Sequence, residues 1–137
     1  MNIKSGYCHS MLKKLFAVIA LFVLEGCTAD CKDTVVERLL SPDGKHEAVL
    51  FQRDCGATTG FTTQISVVET GEEVSGRGNA FVADDDHGNA RVGAWEGPWA
   101  EINWLSANRV RIRYARKARI FNQSETVRPV KIVYQPI

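Results

Sequence analysis

No apolar run in this 137-residue chain is long enough to hold it permanently across a membrane: the longest, residues 15–24, has ten residues. A helix needs about 20 to cross the hydrocarbon core. Charge of one sign is also lacking, since 17 Lys and Arg stand against 16 Asp and Glu. That balance leaves no global field to gather nucleic acid. Histidine is scarce, with His9 in the N-terminal segment and only His46 and His87 beyond it. Neither falls in a metalloprotease pattern or a nucleophile elbow. Glycoside cleavage by paired carboxylates depends on their separation across a cleft, and no spacing along the chain supplies that. The chain is therefore read as a binding protein rather than an enzyme, with no cofactor. Few stretches keep a helical period, which excludes a helical bundle.

At the N-terminus, Lys13 and Lys14 precede the apolar residues 15–24, and small Gly26 precedes Cys27. These are the three parts of an export signal. Met11-Leu12-Lys13-Lys14 would by itself begin such a signal, so residues 1–10 read as an addition ahead of it. Leu24-Glu25-Gly26-Cys27 resembles the lipobox of bacterial lipoproteins, in which the cysteine is lipidated and becomes the new N-terminus. Glu25 departs from the small or neutral residue usual at its place. The resemblance implies export, a lipid anchor on Cys27 and, with Thr28 rather than Asp following in a Gram-negative host, the periplasmic side of the outer membrane. Cleavage after Ala29, giving a soluble periplasmic protein, is the alternative.

Cleavage before Cys27 leaves 111 of the 137 residues, enough for one domain with a modest core. It removes Lys4, Lys13, Lys14 and Glu25, leaving 14 basic and 15 acidic residues and a net charge of −1. Cys8 leaves with the signal and lipidation uses Cys27, so Cys31 and Cys55 remain to form one disulfide in an oxidising compartment. In the chain-entropy picture such a bond contributes roughly 3 kcal/mol. The competing reading makes Cys55 a reactive thiolate with His87 as its base, but no third group to orient the pair is evident.

The body reads as short strands between turns, an all-β class. Residues 35–40 and 46–53 flank Ser41-Pro42-Asp43-Gly44-Lys45, where Pro presets φ and Gly accepts a positive φ. Further strands are expected at residues 61–68, 79–83, 99–104, 109–114 and 130–134. Strict alternation is clearest where Val110, Ile112 and Tyr114 share one face and Arg109, Arg111 and Arg113 the other. About seven strands make a small antiparallel sandwich, a meander or a half-open barrel, as residues 35–137 after a tether at residues 27–34.

The Ser41–Lys45 turn and Trp104-Leu105-Ser106-Ala107-Asn108 resemble hairpins of periplasmic β-propellers, although one blade-sized repeat of about 40 residues, repeated at least four times, would not fit. Asp54-Cys55-Gly56-Ala57-Thr58-Thr59-Gly60-Phe61 and Asn79-Ala80-Phe81-Val82-Ala83-Asp84 resemble stretches of small, functionally uncharacterised bacterial envelope proteins. That likeness implies an envelope role and no particular activity.

Four segments carry candidate recognition chemistry. Residues 54–60 present backbone N–H groups to an anion or form a disulfide-pinned connection; they lack the lysine of a P-loop. Asp84, Asp85 and Asp86 are candidate ligands for calcium or another hard cation, without EF-hand spacing, and His87 beside them is a candidate pH-sensitive group. Arg109, Arg111 and Arg113, followed by Arg116, Lys117 and Arg119, face either an acidic partner or cross-strand acids such as Glu101. Trp95, amid Gly93 and Glu96, is expected to be exposed, to stack on a glycan or anchor a protein interface, while Trp104 joins the core. The preferred role is an accessory or inhibitory envelope protein that binds another protein. A glycan- or metal-binding module and a structural envelope protein are the alternatives.

Overall fold

Alternating apolar residues on short strands leave one face of each sheet to be buried, and two such sheets satisfy each other by stacking. The computed structural model describes residues 30–56 and 60–137 and contains nine strands in two sheets. They are β1 (Lys32–Leu40), β2 (His46–Asp54), β3 (Thr62–Glu69), β4 (Phe81–Asp84), β5 (Ala100–Ser106), β6 (Arg109–Tyr114), β7 (Arg119–Gln123), β8 (Thr126–Val127) and β9 (Val130–Pro136). The first sheet has the order β1-β2-β3-β4-β7 and the second β5-β6-β9-β8. Between them lies a core of Leu50, Ile65, Val67, Phe81, Ile102, Val110, Ile112, Val130 and Ile132, all buried.

All seven expected strands are present. The architecture is a sandwich, and two strands, β7 and β8, were not expected. β7 escapes pattern reading because it is an edge strand with Phe121 on its solvent side, 48 % exposed, so apolar and polar residues do not alternate cleanly. β8 has only two residues. One pairing departs from an antiparallel sandwich. The chain leaves β6, crosses to the first sheet as β7, and returns through β8, so β9 lies parallel to β6 in the register Arg109↔Lys131 to Tyr114↔Pro136.

The first hairpin is built as its turn residues dictate. The Gly44 N–H donates to the Ser41 carbonyl, Gly44 takes φ 75°, and the Asp43 carboxylate accepts from the Ser41 hydroxyl at 2.7 Å and the Lys45 N–H at 3.1 Å. Those two bonds, the hydroxyl's first, hold the Asp43 carboxyl below its ordinary range. Lys32, Asp33 and Thr34, expected to belong to the tether, instead pair with Asp54, Arg53 and Gln52 as the first part of β1. Cys31 and Cys55 form a disulfide one step beyond that register, across Cα atoms 4.0 Å apart. Beside it Arg53 and Asp33 pair with both nitrogen–oxygen contacts within 2.9 Å. Cys8 and Cys27, with the lipobox around the latter, lie outside the described residues, as do residues 57–59 of the loop after Cys55.

Candidate functional site

The two sheets differ in charge. The strands of the first carry Asp33, Glu37, Glu47, Asp54, Glu69 and Asp84 against Lys32, Arg38, Arg53 and Arg119. Those of the second carry Arg109, Arg111, Arg113 and Lys131 against Glu101 alone. Parity puts all of these second-sheet charges on its outer face, because Val110, Ile112, Ile102 and Ile132 occupy the inner one. The expected alternation of β6 is therefore realised.

The arginines on that face are not equivalent. Arg113 pairs with its cross-strand partner Glu101 at 2.6 Å, the structural pairing that the sequence offered as one option. Arg111 donates through Nη2 to Asn103 Oδ1 at 3.2 Å, and its Nε is buried with no hydrogen-bond partner among the described residues. Arg109 is exposed and paired in register with Lys131, a second cation. Neither makes an ion pair with a described residue, and Leu105, in the β5 bulge at the same end, is exposed beside them.

The tryptophans are distributed differently from the expectation. Trp95 is not a free aromatic: it is half-buried and packs against the core. Its indole N–H donates to Thr63 Oγ1 at 2.8 Å, and its carbonyl accepts from the Gln52 amide. A side chain at Gly93 would collide with the Trp95 ring, so the glycine that suggested exposure is what lets the ring fold inward. The structure does not bring Trp95 to the arginines. Trp99 is there instead, on the Glu101 side of β5, with the Arg91 guanidinium carbon 4.1 Å and that of Arg113 5.9 Å from its ring centre. The signal was available in the sequence, since Trp99 has the parity of Glu101 and not of Ile102. Trp104 packs against the core as expected and donates from its indole N–H to the Leu39 carbonyl at 2.9 Å.

Asp84, Asp85 and Asp86 do not form a metal-ligand set. Asp84 meets Arg119, its partner on β7, through contacts of 3.1 and 2.6 Å, and accepts from the Asp86 N–H at 2.9 Å. Asp86 in turn accepts from the Asn89 amide at 2.9 Å. Burial alone would raise the Asp84 carboxyl. The hydrogen bonds from Arg119 and the Asp86 N–H, with attraction by Arg119 and His87, more than offset it and hold the group below the usual range. Among the described residues no three His, Cys, Asp or Glu side chains converge to hold a metal ion. Adjacency in sequence was the basis of that expectation, and in the turn with Asp86 at φ 54° and His87 at φ 58° the Asp84 and Asp86 carboxylates take separate partners.

What the arrangement can do chemically is attract and orient an anion or an acidic surface at the outer face of the second sheet. Neither a protein-family model, nor a curated protein, nor a solved structure matches this chain.

Proposed function

We propose that this chain is an exported envelope protein, anchored through a lipid on Cys27 to the periplasmic side of the outer membrane, that acts by binding an acidic protein. An accessory or inhibitory role suits it. One observation carries the reading. Three of the four strand cations that make no ion pair with a described residue, Arg109, Arg111 and Lys131, gather on the outer face of the second sheet, with Lys32 of β1 the fourth, whereas the first sheet's arginines are paired with their own acids. Surface pairs within a fold contribute little stability, while unpaired cations on a flat face raise association rates and select partners of opposite charge. Arg111 adds to the case, because its guanidinium donates only to the neutral Asn103 side chain and its charge is not neutralised by a described acid.

The test is in two parts. Intact mass of protein recovered from membranes reads the anchor: a diacyl or triacyl addition that is absent in Cys27→Ser supports it, and a soluble species starting near Asp30 overturns it. Cross-linking in the intact envelope reads the face: a protein adduct formed by the wild type and lost in Arg109→Glu/Arg111→Glu, with an unchanged melting temperature, supports the assignment. An adduct that survives charge reversal removes the face from the function.

A further inference from the structure

A cleft of about 270 Å³ opens beside the second sheet, lined by Asn89, Arg91, Ala115, Arg116, Lys117 and Ile137. Three of the six are cationic and one is a neutral amide; no acidic side chain lines it, and the main-chain carboxyl of Ile137, which accepts from the Arg116 N–H, is the opposing charge among the lining residues. None of the three cations makes an ion pair with a described residue. Both walls are fixed by the backbone of one residue, Trp99. Its N–H donates to the Arg91 carbonyl at 2.9 Å, and its carbonyl accepts from the Ala115 N–H at 3.0 Å. The Arg91 guanidinium is stacked on the Trp99 ring, so its plane is set before any ligand arrives. Arg116 is steadied by contact of Nη2 with the Pro136 carbonyl at 3.4 Å, and its N–H donates to the Ile137 main-chain oxygen at 3.0 Å. On the other wall the Asn89 and Ala90 N–H groups donate back to Asp86 and Asp85 carbonyls, closing the turn that presents the Asn89 amide.

We infer that this cleft is a binding site for a phosphate-class oxyanion, either free phosphate or the phosphomonoester end of a larger molecule. Two arginines and a lysine together offer more positive charge and more N–H donors than a monoanionic carboxylate neutralises, which favours a dianion. The volume suits a compact anionic group, being below the range of pockets that enclose drug-sized ligands. The cleft adjoins the outer face through Trp99 but uses other cations, Arg91, Arg116 and Lys117 rather than Arg109 and Arg111.

The experiment is a calorimetric titration of the full chain in neutral detergent with inorganic phosphate, and a parallel sedimentation assay with phosphatidylcholine vesicles with and without phosphatidate. The wild type is expected to bind saturably. Lys117→Gln, at an exposed side chain, and Arg91→Gln/Lys117→Gln are each expected to weaken binding, the double variant by about tenfold or more. Arg109→Gln is expected to leave it unchanged. Binding of inorganic phosphate assigns the free anion; binding only of phosphatidate vesicles, with the same loss in the variants, assigns a headgroup. Saturable binding that survives in Arg91→Gln/Lys117→Gln, or no saturable binding in either arm, overturns the inference. Because the Arg109 and Arg111 variants probe the sheet face separately, the two readings fail independently.

Discussion

Thr63 shows how much of this molecule hangs on single polar atoms. Its side chain is fully buried on the inner side of β3, and its hydroxyl donates to the Pro98 carbonyl at 2.7 Å while accepting the Trp95 indole N–H. Thr63→Val keeps the shape and orphans both partners, so we expect a loss of about 1–3 kcal/mol, read as a lower urea midpoint at unchanged slope. Tyr134 plays the same part in the second sheet: its hydroxyl sits 2.8 Å from the carbonyls of both Ala80 and Ser124, and its one proton serves one of them at a time. Burial first, then repulsion from Tyr114, pushes its ionisation well above the usual tyrosine range. A group raised in the folded state contributes stability below its unfolded value, near pH 10, and loses that contribution as the pH climbs towards the folded one. The urea midpoint is therefore expected to fall above about pH 10, and to fall less in Tyr134→Phe. No pattern in the sequence announces either hydroxyl. Each partner lies more than 30 positions away in at least one of its bonds, so the pairing exists only once the sheets are stacked.

Among the elements, β1 is the least secure. It is an edge strand, most of its side chains are exposed, and the Val35/Glu37 bulge interrupts its register. Such a bulge also discourages another chain from adding to that edge. The Cys31–Cys55 bond fastens its far end to β2 covalently, beside the Arg53–Asp33 pair. Reduction, or Cys31→Ser/Cys55→Ser, is expected to cost roughly 3 kcal/mol and to raise amide exchange first over residues 32–36. Uniform exchange across all strands would show that the bond stabilises the fold without guarding β1 in particular. The turn after β4 offers another test. With Asp84 engaged by Arg119, millimolar calcium is expected to leave the melting temperature unchanged, because a ligand that does not bind the native state cannot stabilise it. Asp84, lowered in the folded state, contributes stability above the ordinary aspartate value near pH 4 and loses it as the pH falls further; Asp84→Asn should flatten that acid limb. Strands with a buried face were legible one by one, since alternation survives whatever the topology. The pairing order, and the split of the acids from one presumed cluster into separate bonds, were not, because both are decided by contacts between distant segments.

For the whole molecule the informative quantity is the placement of charge, not its sum. A net charge near zero hides a second sheet whose strands carry four cations and one acid, Glu101. The arginine alternation on β6 was readable; the addition of Lys131 to the same face was not, because it required β9 to lie beside β6 in parallel register. Capture of an acidic partner through this face is expected to weaken as salt rises, since exposed charges are screened within about 8 Å at physiological ionic strength. Salt-independent capture would point instead to an apolar contact near Leu105.

The position of β9 also bears on how the chain reaches its native state. The first described strand, β1, lies on an edge, but the last, β9, lies inside the second sheet, between β6 and β8. A chain delivered N-terminus first, from a ribosome or through a secretion channel, can assemble β1 to β4 as they emerge, yet has no neighbour for the free edge of β6 until β9 is out. Completion of the second sheet thus waits for β9, and a ribosome stall or truncation just before Val130 would leave β6 uncovered and the chain open to pairing with its neighbours.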